Sequence, residues 1–127
     1  MTEPVSYHRI HADSAGESRN ERLDLAMRTQ MFAPPAAPLD LSDPEAASTV
    51  RLLRLAVGWF GDWHPTPVRQ WFFYLAGEAT MLASDGSQLT AVAGSIVLVE
   101  DTTGKGHQTR VIGNADVIVA AVQVPAR

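Results

Sequence analysis

His64 and His107 are the residues of this 127-residue chain best suited to do chemistry, and each stands in a stretch punctuated by glycine. A neutral imidazole nitrogen can ligate a transition metal, exchange a proton near neutrality, or serve only as a hydrogen-bonding group. Thr66 and Gln70 follow His64 at even spacing, which on an extended backbone turns all three side chains the same way. The stretch that holds them, Gly58 to Gly77, also contains seven of the nine aromatic residues: Trp59, Phe60, Trp63, Trp71, Phe72, Phe73 and Tyr74. The second stretch, Gly94 to His107, brings its histidine after a loop of Glu, Asp, Thr, Gly and Lys. The two stretches are expected to form the walls of one pocket.

Alternation sorts the neighbours. Phe72 and Tyr74 should share the pocket side with Gln70, while Trp71 and Phe73 turn to the other face. Trp59, Trp63 and Trp71 can stack on a flat or sugar-like ligand, or serve as packing and interface surface. Arg69 should point away from Gln70 as a solvated or interface charge. Arg110 could clamp a carboxylate in a bidentate pair or form an exposed ion pair. Asp62, Glu100 and Asp101 are loop acids near the mouth, able to complete a coordination sphere and otherwise solvated. The run Asp101 to Gly106 has neither the spacing of a phosphate-binding loop nor a following helix, so its expected task is to carry His107 over the mouth. His8 and His11 read as surface residues.

The elements that must hold these groups are strands. Val5 to His11 alternates, and Asp13 to Ser18 is a turn. Arg22 to Arg28 alternates as well, although the same residues are good helix formers. Phe32 to Pro44 carries four prolines and cannot supply the hydrogen bonds of a central strand, so it should cross the surface as an extended connection. Strands are expected at Val50–Val57, Gln70–Ala76, Ala79–Ala83, Gln88–Ala93, Ser95–Val99, Thr109–Ile112 and Val117–Val124. Asp85-Gly86 between two of them is a hairpin signal. Short strands at regular spacing with Gly and Pro turns, and no convincing long helix, give an all-β sandwich or barrel. The length suits one domain, with residues 1–48 as N-terminal strands and Pro-rich arm and 49–124 as the core.

Composition excludes several classes. A net charge of −4 with no basic stripe argues against nucleic acid and against an anionic membrane surface. With no cysteine, thiolate metal sites and cysteine nucleophiles drop out, and a cytoplasmic protein is the expectation.

The two glycine-bounded stretches resemble the two motifs of the cupins, small jelly-roll barrels of antiparallel strands with little helix. The first motif runs Gly, five residues, His, one residue, His, three or four residues, Glu, six residues, Gly. Gly58, His64, Thr66, Gln70 and Gly77 keep that spacing, with Thr66 and Gln70 in place of the second His and the Glu. The second motif runs Gly, five residues, Pro, one residue, Gly, two residues, His, three residues, Asn. Gly94, Gly104 and His107 match it across a loop two residues longer, with Glu100 in place of the Pro and Val111 in place of the Asn. The resemblance implies one internal pocket and one divalent ion, Fe, Mn, Ni or Zn, held by His64, Gln70 and His107. Two neutral imidazoles and an amide bring no negative charge, a poorer set than imidazole with carboxylate.

Two functions follow from the resemblance. One is a metal-dependent oxygenase, isomerase or lyase acting on a small organic molecule. The other is a metal-free barrel that binds or senses a small ligand through His64, Gln70 and His107, with Trp59, Trp63, Thr66, Phe72, Tyr74 and Arg110 as further contacts. Cupins commonly pair, so a homodimer is expected, with Phe32 to Pro44 and the face around Trp71 and Phe73 suited to the packing.

Overall fold

The computed structural model describes residues 3–127, and the regular structure there is β-strand throughout. In chain order the strands are β1 (Ser6–Ala12), β2 (Ser18–Asp24), β3 (Arg28–Gln30), β4 (Leu39–Leu41), β5 (Thr49–Leu55) and β6 (Phe60–His64). They continue with β7 (Gln70–Ala76), β8 (Glu78–Ala83), β9 (Gln88–Val92), β10 (Ile96–Val99), β11 (His107–Ile112) and β12 (Val117–Gln123). A six-stranded sheet has the order β2-β1-β10-β7-β12-β5, and a four-stranded sheet the order β6-β11-β8-β9. The two sheets face one another without closing into a barrel. Their strands are antiparallel apart from β1 and β10, which run parallel. No helix is long and apolar enough to cross a membrane among the described residues.

Period-two patterning explains why these residues form these strands. In β12, Val117, Val119 and Ala121 are buried and the residues between them are less so; β8 and β9 alternate in the same way. Asp85-Gly86 turns the β8–β9 hairpin, with the Asp85 carboxylate accepting from the Ser87 amide at 2.9 Å. The inward side chains meet in one core. Ile10, Tyr74, Val97, Val99, Val117 and Val119 come from the larger sheet and pack on Ala79, Met81, Leu89, Ala91 and Val111 from the smaller. The Tyr74 hydroxyl donates to the Met81 sulfur at 3.4 Å across the gap, and burial pushes the Tyr74 pKa above its ordinary range.

Three segments differ from expectation. The alternating run expected over Arg22–Arg28 ends as a strand at Asp24, and Arg28 opens a separate ribbon with β4. The Pro-rich segment does cross the surface, but it includes β4 within that exposed ribbon. β6 was not expected, since Gly61 and Asp62 weaken its strand signal. Gly61 is there for room: a Cβ at that position would stand 2.5 Å from the Trp59 ring, which lies over it.

The outer face of the larger sheet is also apolar. Val50, Val122 and Trp71 are in register across β5, β12 and β7, and so are Leu52, Ala120 and Phe73. Ser42 to Glu45 and Ala47 face Trp71 and Phe73 across a groove on that side, and Glu45 accepts from the Trp71 indole N–H at 2.6 Å.

Met81 is 1% exposed and fills the centre of the core. Met81→Ala is expected to cost about 3 kcal/mol through lost burial and a residual cavity, measured as a lower denaturant midpoint at unchanged m-value.

Candidate functional site

β6 and β11 are antiparallel neighbours, and their register places His107 directly opposite His64. Cross-strand partners share a face, so the two imidazoles meet, with ring centroids 4.7 Å apart and planes inclined by 56°. The close approach depends on glycine in the preceding loop. Gly106 has φ +82°, and a Cβ there would collide with the His64 carbonyl group; Gly104, also at φ +82°, packs in the same way on the backbone of Gly16.

Each ring is held through Nδ1. His64 Nδ1 lies 2.5 Å from the Asp62 carbonyl oxygen. A carbonyl only accepts, so Nδ1 carries the proton and Nε2 of the neutral ring is the acceptor. His107 Nδ1 lies 2.7 Å from Asp101 Oδ2, which also accepts from the Ser18 hydroxyl at 2.7 Å. The same logic leaves His107 with a free Nε2 lone pair. This is the arrangement by which an outer acceptor fixes the tautomer and orientation of an imidazole.

Asp101 therefore corrects the expectation of a solvated loop acid. Its side chain is fully buried, Oδ1 has no partner among the described residues, and its backbone carbonyl accepts from the Thr66 amide at 3.0 Å. Sequence proximity to His107 hinted at a role, but only the loop's path shows which way the carboxylate turns.

Gln70 and Thr66 complete the polar end. Gln70 Nε2 donates to Thr66 Oγ1 at 3.0 Å, and the Thr66 hydroxyl donates to the Val68 carbonyl at 2.8 Å. One of the two amide N–H donors is thereby taken up within the chain, and Oε1 is the group's acceptor. His64, Thr66, Gln70 and His107 line one cavity of about 410 Å³, with Trp59, Phe72 and Tyr74 among its apolar walls. Leu53, Leu55 and Val119 supply more of that apolar wall. Among the described residues no group of three or more His, Cys, Asp or Glu side chains is placed to hold a metal ion.

Two expected contacts lie elsewhere. Arg110 alternates outward from the buried His107, Thr109 and Val111, and its guanidinium sits 4.6 Å from the centroid of the Phe60 ring on the outer face of the smaller sheet. Trp63 is 48% exposed and lines a separate depression with Ser84 and Lys105. Asp62 stays at the surface, where its side chain accepts from Gln108 at 2.9 Å.

Arg69 and Glu100 are also corrections. Neither is a solvated charge: their side chains are 6% and 7% exposed and paired at 2.5 Å. Glu100 further receives Arg9 at 2.5 Å and Arg127 at 3.2 Å, while Arg69 reaches Glu45 at 3.1 Å. Arg9, Arg69, Glu100 and Arg127 are scattered along the chain, so no local pattern announces them. Their cluster anchors the end of β10, the point from which the Asp101 loop departs.

No protein-family model matches the chain, and no curated protein matches it significantly. Among solved structures, the cupin domain of Cnp3 from Schizosaccharomyces pombe is similar over 98% of this chain and 88% of that one, at a TM-score of 0.51 and 9% identity. Protein NMB1881 from Neisseria meningitidis is similar over 60% of this chain and 72% of that one, at a TM-score of 0.44 and 17% identity. The Cnp3 likeness establishes a cupin-like fold, and at that identity it speaks to the fold alone.

Burial opposes the charge on Glu100, but hydrogen bonds from Arg9 and Arg69 outweigh it and hold the carboxyl below its ordinary value. A lowered folded-state pKa contributes stability above the unfolded value of about 4.3, and that contribution is lost as pH falls through the folded value. Glu100→Gln should therefore be less stable than the parent at neutral pH. The gap should narrow in denaturant titrations carried below about pH 4.

Proposed function

We propose that this chain binds a small organic molecule in the pocket between its sheets. Its polar end holds a divalent ion of the Fe, Mn, Ni or Zn type through His64 Nε2, His107 Nε2 and Gln70 Oε1. One observation carries the proposal. Both imidazoles have Nδ1 committed to an outer acceptor, Asp62 O and Asp101 Oδ2, so both offer Nε2 from adjacent register positions. The donor set is neutral, and Asp101 behind His107 would supply the negative charge that no direct carboxylate brings. A bound ion would supply a Lewis acid to polarise a substrate oxygen or a water, chemistry open to an oxygenase, isomerase or lyase. The chain's own share is to shape the site. Phe72, Tyr74, Trp59 and Val119 exclude water and take the apolar body of the ligand, while the Thr66–Gln70 pair fixes the amide.

A second reading draws on the cavity lining, in which no carboxylate stands among the described residues. In that case the same acceptors take N–H or O–H groups of a ligand directly, and the protein binds or senses without catalysis. Metal content of untagged protein separates the two, measured as purified and after exposure to each ion. The first reading expects near-stoichiometric metal that is lost in both His64→Ala and His107→Ala. It also expects binding weakened about 10- to 100-fold in Asp101→Asn. No uptake of any ion would sink the metal reading and leave the metal-free one.

We further propose that two copies pair through the strip formed by Val50, Leu52 and Leu75, which are 71%, 68% and 55% exposed on the outer face of the larger sheet. Val50 and Leu52 lie on β5, the edge strand of that sheet, and exposed apolar surface of this kind is expected to be covered by a partner. Light scattering should give a dimer mass that Leu52→Glu reduces to that of a monomer. A monomer from the unaltered chain would refute the pairing.

A further inference from the structure

The cavity between the sheets is uncharged as well as largely apolar. Its volume of about 410 Å³ lies within the range of small-molecule sites. Among the described residues no Asp, Glu or Lys lines it. Arg54 reaches the rim, but cross-strand pairing sends it away from the interior. Leu53 and Leu55 stand opposite the buried Val119 and Val117 and turn inward with them, whereas Arg54 stands opposite Ile118 and turns outward. Its guanidinium is 74% exposed and lies 3.8 Å from Asp116 Oδ2. A charged ligand group at the polar end would therefore give up its water without meeting a counter-charge in the lining. An anion there would also face the buried Asp101 carboxylate, which stands behind His107.

What the polar end does present is acceptors. His64 Nδ1 is committed to Asp62 O at 2.5 Å and His107 Nδ1 to Asp101 Oδ2 at 2.7 Å, so each neutral ring keeps an Nε2 lone pair for another partner. The ring centroids are 4.7 Å apart, close enough for one small molecule to reach both. Gln70 adds Oε1, because its amide nitrogen is directed at Thr66 Oγ1, whose own proton goes to Val68 O. Of the lining hydroxyls, that of Tyr74 is used on the Met81 sulfur, and Thr109 can serve as donor or acceptor. Acceptors that lose water to a ligand must be met by donors on that ligand, or the binding is weakened.

We infer that the cavity, with no ion bound, takes an uncharged aromatic or alicyclic compound carrying two neighbouring O–H or N–H groups. These donate to His64 Nε2 and His107 Nε2, while the apolar body lies against Phe72, Leu53 and Val119. The inference rests on the reading of this cavity as the ligand site and does not depend on metal uptake.

Calorimetric titration with a chelator present tests it, using three probes built on one ring system. These are 2,3-dihydroxynaphthalene, its dimethyl ether, and 3-hydroxy-2-naphthoate, in which a carboxylate replaces one hydroxyl. The diol is expected to bind saturably with a Kd below about 1 mM. The ether and the carboxylate should each bind at least about tenfold more weakly. His64→Phe keeps a ring and removes the acceptor at a partly buried position, so the variant should fold as the parent does. It should bring the diol down to the affinity of the ether and leave the ether's own binding unchanged. Loss of both probes alike would mean that His64 only shapes the wall, and would overturn the proposal. Equal binding of diol and ether, or tighter binding of the carboxylate, would overturn it too, while leaving the cavity a ligand site. No saturable binding of any probe would overturn it together with the reading on which it rests.

Discussion

The contact on which the site depends is the buried pairing of Asp101 with His107. A carboxylate with no exposure to water is costly unless its charge is met by donors. Here the donors are the imidazole Nδ1–H and the Ser18 hydroxyl, each at 2.7 Å. Ser18 belongs to β2, at one edge of the larger sheet, while His107 opens β11 in the smaller sheet. One carboxylate thus ties both sheets to the ring that faces the pocket. The tautomer of His107 is a consequence of how the core closes.

The neighbouring residue does the complementary work. Glu100 collects Arg9 from β1, Arg69 from the segment before β7, and Arg127 from the C-terminus. A buried ion cluster contributes little net stability compared with an apolar equivalent, because desolvation cancels much of the attraction. What it provides is geometry. It fixes the end of β10, so that the next residue enters the interior rather than the solvent. Gly104 and Gly106 then let the loop lie against Gly16 and His64 without a side chain between them. Charge pairing at one end of the loop and absent side chains at the other bring His107 to His64.

The fold was legible because period-two patterning and turn chemistry are local. Gln70–Ala76 was read to both its ends, and the turn at Asp85-Gly86 lies where its residue types require. The pocket set was legible in part for the same reason: alternation along β7 puts Gln70, Phe72 and Tyr74 on one side. Arg110 shows how the same rule also removes a candidate, because His107 faces inward and a residue three positions on must face outward. Arg69, Glu100 and Asp101 were beyond reach. Their burial depends on partners far away in the chain, and an acid in a loop looks the same in sequence whether it meets water or a guanidinium. β6 was missed because Gly61 weakens strand propensity, yet that glycine makes room for the Trp59 ring.

β7 presents a different chemistry on each of its two faces. Its inner face presents Gln70, Phe72 and Tyr74 to a cavity whose polar end is made of acceptors. Its outer face presents Trp71 and Phe73 to a groove rimmed with acids. Both surfaces are short of cations: neither His64 nor His107 in its neutral form brings one, and the guanidinium of Arg69, at the start of this strand, is taken up by Glu45 and Glu100. The rigidity that fixes one face fixes the other, since alternate side chains share one backbone and one set of ladder hydrogen bonds to β10 and β12. Gln70 opens the strand with its backbone paired to Val99 and its side chain held by Thr66. Glu45 is the link on the outer side, bonded at once to the Trp71 indole and to the Arg69 guanidinium that closes the Glu100 cluster.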